Sequence, residues 1–530
     1  MEFDYVIVGG GAAGCVLAAR LSEDPRVQVA LLESGAQDRS ALFRCPAGIA
    51  AIARTRIGAH AFETVPQPGL LGRRGYQPRG HVLGGSTSIN AMCYGRGQHA
   101  DYDAWAALGN EGWSWADVKP YFLRSEHNHR IADEWHGRDG PLQVSDLQAP
   151  NPFSLRFVEA AQQAGFRRND DFNGAAQEGV GLYQVLQRGG ERCSAATAYL
   201  QPHRSRPNLR VFTRTRALQL VLEAGAARQV LARRGGEPLT VRARREVVLS
   251  AGAIESPALL MRSGIGPGPH LQALGIPLVH ELPGVGANLH DHPDVVLVAD
   301  APGQAELVGL SATGAWRVLR GIVQWRRERT GLLTTNFAEA GGFIRSTPEL
   351  AQPDIQLHFV VAKLLDHGRA LRAGHGFSLH VCLLQPRSRG RLRLADADHD
   401  SAPLIDPQFL ADPHDLRRLR AGVRCAQRIL AQPALAAFGT EAAGSRTAAQ
   451  DDAALEHWIR SHADTIYHPV GTCRMGSDAQ AVVDAQLRVH GVAALRVVDA
   501  SVMPRIVSGN TTAPTVMIAE KAADLMTRRA

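Results

Sequence analysis

No apolar run in this 530-residue chain approaches the ~18 residues that a membrane-spanning helix requires. Cysteine is sparse. Cys15, Cys45, Cys93, Cys193, Cys382, Cys425 and Cys473 are odd in number, scattered and without a CxxC pair, which speaks against a disulfide frame or a zinc site and predicts reduced thiols. The basic residues are almost all arginine, and although the formal charge is +7 and the pI about 9.2, they are spread along the chain. A clustered basic stripe with interleaved aromatics is missing, so no nucleic-acid partner is expected. The first strand begins at Phe3 or Asp4, which leaves no room for a charged and apolar secretory leader, and a cytoplasmic location is expected.

With 45% hydrophobic and 21% charged residues the composition is that of a globular enzyme, and the length suggests roughly two to four domains. The stretch from Asp4 to Glu33 organises the rest. Tyr5 to Val8 is a β-branched apolar run suited to a strand buried on both faces. It ends in Gly9, Gly11 and Gly14, a GxGxxG whose intervening Ala12 and Ala13 open a helix. The first glycine permits the turn, the second lets a pyrophosphate approach the backbone, and the third lets helix and strand pack closely. A second apolar strand, Val27 to Leu32, ends at Glu33, nineteen residues beyond Gly14, where a carboxylate can accept bonds from a ribose 2′-hydroxyl. Strand, helix and acid together predict an unphosphorylated adenine dinucleotide, FAD or NAD.

From Ser34 to about Gly97 the chain is irregular and rich in Gly, Pro and Arg. Within it RGHVLGGSTSIN (Arg79 to Asn90) has the makings of a backbone nest under a phosphate or ring. Helical patterns are expected around Trp105 to Arg124 and from Asn151 to Ala164, strands over Asn208 to Ala224 and Thr240 to Ala253, and a helix in GAIESPALLMRSGIG (Gly252 to Gly266) ending at Ser263-Gly264. Val296 to Gly331 reads as the least regular part. Inside it, Trp316 to Arg329 winds with Trp316, Leu319, Ile322 and Val323 on one face and Arg317, Arg320 and Arg327 on another, a pattern shared by membrane-surface helices and by partly exposed helices of ordinary domains. Pro353 to Ala362, Phe377 to Pro386 and Gly390 to Asp396 look like strands of a mostly antiparallel sheet. Two histidine clusters, His290-Asp291-His292 and His127-Asn128-His129, lack a third ligand at a recognisable spacing, so no metal is expected. Cys473 has no base and orienter nearby in sequence and reads as a packing residue.

Four segments in this order, GGGAAG with Glu33, RGHVLGGSTSIN, GAIESPALLMRSGIG, and the C-terminal stretches around His468 and Asn510, resemble the glucose–methanol–choline (GMC) family of FAD-dependent oxidoreductases. LTTNFAEAGGF, YHPVGTCRMG and GNTTAPTVMIAEKAAD are similar to bacterial dehydrogenases of aliphatic alcohols or polyethylene glycols. The resemblance implies FAD over NAD and an α/β chain, α+β overall: a Rossmann-like FAD-binding domain with a parallel sheet (residues 1–150, 205–300 and 465–530), and a substrate domain with a mostly antiparallel sheet covered by helices (151–204 and 301–464). It implies that Glu33 binds the ribose, that Gly84, Asn90 and Met92 lie along the pyrophosphate and flavin, that Ala217 is near adenine, that Asp499 and Ala500 return to the flavin side chain, and that Asn510, Thr511 and Pro514 reach the ring. Some members attach FAD through a histidine just before the second motif's asparagine; here Ile89 stands there, so non-covalent FAD is expected. His468 matches the family's catalytic histidine and Asn510 the second active-site position, with Phe337 and Tyr467 as candidate pocket residues. The implied reaction is oxidation of a primary alcohol to an aldehyde, with electrons passed to a quinone or similar acceptor. Alternatives are an oxygen-using aryl or furanic alcohol oxidase and, more remotely, a redox-silent hydroxynitrile lyase or a fatty acid photodecarboxylase. Contact of residues 316–329 with the inner face of a membrane is a further expectation.

Overall fold

The computed structural model describes residues 1–439 and 451–527. The opening apolar run forms the strand Glu2–Val8, buried from Phe3 onward. It pairs in parallel with Val29–Leu32 on one side and with Glu237–Leu249 on the other. The seven-stranded sheet runs Leu209–Phe212, Val29–Leu32, Glu2–Val8, Glu237–Leu249, Ala226–Arg234, Thr215–Glu223, with Leu495–Val497 also pairing on Glu237–Leu249. Its last three strands form an antiparallel meander. The parallel strands end together, and the turns that follow them, Gly9–Gly11, Glu33, Ser250–Gly252 and Asp499, share one edge. In open α/β sheets that edge is where ligands bind.

Helix Ala12–Leu21 packs against the C-terminal helix Thr512–Thr527. Arg20 crosses between them to grip the buried Glu520 at 2.8 and 2.9 Å, and Tyr199 Oη donates to the same carboxylate at 2.7 Å. The aromatic stretch after Tyr102 forms two helices, His99–Ala107 and Trp115–Ser125, because Gly109 and Gly112 turn the chain at positive φ and Ser114 with Asp117 caps the second.

The second sheet has six strands in the order Asp464–Thr465, Pro293–Asp300, Gly376–Leu383, Ile355–Val360, Ala338–Ile344, Gly179–Leu182, all antiparallel. Alternation sets its two faces. Ile355, Leu357, Phe359, Phe377, Leu379 and Val381 bury one face against helices Pro152–Gln163 and Pro413–Leu430. Gln356, His358 and His380 occupy the alternate positions and are buried too.

This sheet corrects the reading of Val296 to Gly331 as the least regular part at its start, which belongs to the strand Pro293–Asp300, while the winding expected over Trp316 to Arg329 lies within the helix Ala312–Glu328. The strand is held by seven paired positions with Gly376–Leu383, some eighty residues later. A long-range partner of that kind leaves no local signal. By this pairing residues 293–300 belong to the antiparallel sheet.

Candidate active site

Two glycine turns meet beneath the edge of the parallel sheet. Gly84 donates its N–H to Gly10 O at 2.7 Å, and a Cβ on Gly85 would stand 2.7 Å from Gly11 Cα. A Cβ on Gly14 would lie 1.9 Å from Gly9 O, so the helix can start this close to the strand only with glycine there. The helix begins at Ala12 and Ala13 with no side chain capping it, leaving its first N–H groups and positive dipole end toward the turn.

The Glu33 carboxylate is buried and accepts from Gly10 N at 2.8 Å and Gly35 N at 2.6 Å. Burial pushes its carboxyl up to about 7, against these backbone bonds, which act in the opposite direction. Ala217 is half-buried on the strand whose Thr215 N–H binds Glu33 O. Ser250 Oγ, beside Gly9, is buried with no partner among the described residues. An uncapped helix start, a buried acid with spare lone pairs and an unsatisfied hydroxyl fit an adenine dinucleotide.

Along the other arm Asn90 donates to Thr512 Oγ1 at 3.1 Å, and its Oδ1 accepts from Met92 N and from Arg192. These bonds tie the RGHVLGGSTSIN segment to the start of the C-terminal helix, where Thr511 and Pro514 lie. Ile89 offers no nucleophilic atom. The Asp499 carboxylate is directed inward: it accepts from Gly252 N and Ser256 Oγ on one oxygen and from Ser501 N on the other, anchoring helix Gly252–Arg262, while Ala500 starts the turn that follows.

His468 and Asn510 lie on separate loops that the fold brings together. Asn510 Nδ2 is 3.4 Å from His468 Nε2, and Gln356 Nε2 donates to Asn510 Oδ1 at 3.1 Å. Gln356 thereby turns the amide so that its N–H₂ faces His468. An amide nitrogen only donates, so His468 Nε2 is the acceptor and its proton sits on Nδ1. Nδ1 in turn lies 3.1 Å from Nδ1 of His292. The His292 proton is then on Nε2; among the described residues no hydrogen bond of ordinary geometry reaches that atom, but the carbonyls of Leu384 and Val507 flank the ring. Burial lowers His468 well below the usual histidine range, helped by His292, His358 and Arg79, and lowers His292 and His358 to about 3. The cluster is therefore neutral near pH 7.

The turn His290-Asp291-His292 is a brace. Asp291 accepts from His468 N at 2.9 Å, from Thr465 Oγ1 and from Gln77, and Arg79 lies near it while donating to Tyr467 O at 2.8 Å. His290 donates to Asn288 O at 2.6 Å and accepts from Ile506 N at 2.9 Å, and its backbone pairs with Val470. One turn thus holds the loop of His468 and the loop leading to Asn510. Tyr467, Phe337 and Met92 all have positive φ (75°, 64° and 59°), a costly conformation for such side chains that the surrounding bonds must hold. Tyr467 Oη is tied to His367 Nδ1 at 2.6 Å, and Phe337 is half-buried between the two apolar clusters of the second sheet. Sequence reasoning missed His292, His358 and Gln356. Their signal was present as polar residues at alternate positions of apolar strands or as the His-Asp-His run, but only the fold shows what they face. The acid–histidine group Asp133, His136 and Asp171 lies elsewhere, with His136 bridging the two carboxylates at 2.8 and 3.4 Å.

Two family models, both described as GMC oxidoreductase, match residues 3–294 and 386–519. The chain is 45% identical to "Alcohol dehydrogenase [acceptor]" of Pseudomonas putida over 99% of this chain and 96% of the relative. It is 42% identical to "Oxygen-dependent choline dehydrogenase" of Sinorhizobium fredii over 99% and 95%. Among solved structures it resembles pyridoxine 4-oxidase from Mesorbium loti, with a TM-score of 0.89 at 33% identity and full coverage of both chains. With a dinucleotide cradle beside paired His468 and Asn510, and matches along nearly its whole length, the chain belongs to the GMC oxidoreductase family.

Proposed function

We propose that this protein oxidises a neutral primary alcohol to an aldehyde and passes the electrons to a quinone or similar carrier. FAD, held without a covalent bond, is the cofactor; when bound it supplies the hydride acceptor at the flavin N5. Gly9, Gly11, Ala12, Ala13 and Gly14 would face its pyrophosphate, Glu33 and Ala217 its adenosine end, and Gly84, Asn90, Met92, Asp499, Ala500, Thr511 and Pro514 its flavin half.

The observation that carries the reading is the neutral His468 Nε2 set 3.4 Å from a donor amide whose orientation Gln356 holds. His468 Nε2 takes the hydroxyl proton as general base, a step that typically contributes about 10²–10⁴ in rate. Asn510 Nδ2 donates to the same oxygen as it gains negative charge. Phe337 and Tyr467 would border the carbon chain.

A cationic substrate, as in the choline dehydrogenase relatives, is favoured less. A quaternary ammonium gains from a free carboxylate, and most of those nearby are engaged: Asp291 holds the His468 loop, Asp464 accepts from Tyr76 N and His367, and Glu339 accepts from Asn151 N, Ser154 and Thr335, whereas Asp294 pairs with His380 through one oxygen and its Oδ1 has no partner among the described residues.

The test is anaerobic flavin bleaching by linear, aromatic and glycol alcohols and by choline, followed by reoxidation with air or with a quinone analogue. Bleaching by neutral alcohols, reversed quickly by quinone and slowly by air, is expected. Fast recovery in air would make the protein an oxidase, preferential bleaching by choline would overturn the neutral substrate, and no bleaching at all would reject alcohol oxidation.

A further inference from the structure

Helix Ala312–Glu328 lies on the body of the protein with its apolar side outward. Gly314, Gly321 and Trp325 face in, the Trp325 indole N–H bonding Gly190 O at 2.8 Å. Trp316, Leu319 and Val323 are 59%, 64% and 51% exposed, and Ile322 is exposed beside them. On 3.6-residue winding these four share one arc with Arg320, Arg326 and Arg327, which corrects the expected placement of Arg320 and Arg327 on a separate face, while Arg317 sits at the helix's flank. From Ala312 to Arg327 the helix has four arginines and no acid, and among the described residues none of the four forms an ion pair; Arg320 lies over the Trp316 ring at 5.6 Å. The patch continues past the helix start. Exposed Leu310 exchanges backbone bonds with Gly374, on the same loop as exposed Leu371.

We infer that this face docks on an anionic phospholipid surface. Burying a helix against its own protein normally hides the apolar arc; here it is the arc presented to the outside. Arg320 and Arg327 border the apolar arc and Arg326 lies within it, so Trp316, Leu319, Ile322 and Val323 enter the boundary between headgroups and acyl chains while the long arginine side chains reach back to lipid phosphates. Four arginines, none of them ion-paired among the described residues, against the helix's single acid, Glu328, match a negative surface, and commit the face to lipid over a second copy of this chain, whose identical face would repel it. The inference is independent of the substrate reading above.

Co-sedimentation of the FAD-loaded protein with phosphatidylcholine vesicles, with and without about 30% phosphatidylglycerol, tests it. Binding is expected to the mixed vesicles at least about tenfold above the neutral ones, weakened by salt. Arg320→Glu with Arg327→Glu is expected to reduce it by about thirtyfold or more, at roughly tenfold per 1.4 kcal/mol and about 1 kcal/mol per basic residue. Leu319→Asp with Val323→Asp is expected to abolish it. All four positions are exposed, and unchanged flavin content in each variant shows that folding is intact. Equal binding to both vesicle types, or binding that neither variant alters, overturns the inference. So does a concentration-dependent dimer in sedimentation equilibrium that Leu319→Asp dissolves, which would give the face to a second copy.

Discussion

Nδ1 of His292 stands 3.1 Å from Nδ1 of His468, with their rings at 89°. The contact is an imidazole donating to an imidazole, and the neutral state of both makes it possible. It leaves the other nitrogen of His468 unprotonated, the acceptor that faces Asn510.

His292 is thus a positioning residue on the proposed reading. His292→Leu is expected to lower the rate of flavin bleaching by about ten- to a hundredfold with FAD still bound, whereas His292→Asn, whose Oδ1 can accept from Nδ1–H, recovers part of it. Stopped-flow bleaching of both variants checks this, and equal losses in the two would leave tautomer selection without support.

The acidic limb of the bleaching rate reports the base. Burial, then His292, His358 and Arg79, hold His468 well below 6.5, so it remains neutral as pH falls from 8 through 6.5 and is protonated only lower. The rate is expected to stay level through pH 6.5 and to decline on the acid side of it. A half-maximal rate at or above 6.5 would contradict this.

Gly14→Ala would force Cβ to within 1.9 Å of Gly9 O. Relief requires helix Ala12–Leu21 to move off the strand and its first N–H groups to leave the pyrophosphate position. Purified variant is expected to show much reduced flavin absorbance per protein; full occupancy would show that this approach is not needed.

Arg96 and Glu126 form a fully buried pair, with Tyr94 Oη also within reach of Arg96 and Asn128 donating to Glu126. Glu126→Ala leaves a buried guanidinium unpaired and is expected to cost about 3–5 kcal/mol. Asp170→Ala, which breaks the exposed Arg168–Asp170 pair, is expected to cost less than about 1 kcal/mol. Thermal unfolding of both variants side by side tests the contrast.

The opening unit was legible because its requirements are local. Gly9, Gly11 and Gly14 shape a single turn, and Glu33 follows at a spacing set by one helix and one strand. The second sheet was legible in part: IQLHFV and FSLHVCL alternate as strands should, but one-residue alternation does not say that the polar side is buried. Gln356 and His358 acquire a role only because Asn510 arrives against them from more than a hundred and fifty residues away. The His290-Asp291-His292 run was visible as a cluster, and its work as a brace for two loops was not, since its partners Val470, His468 and Ile506 lie far along the chain.

By itself the sequence determined the dinucleotide cradle, the family and the helical winding of residues 316–329, all of which follow from residue types at short spacings within individual segments. Tertiary structure alone decided which nitrogen of His468 is left unprotonated, which way the Asn510 amide points, and that the apolar arc of helix Ala312–Glu328 faces outward. Hydrogen-bond direction and burial belong to pairs of surfaces, and those pairs exist only once distant segments have packed.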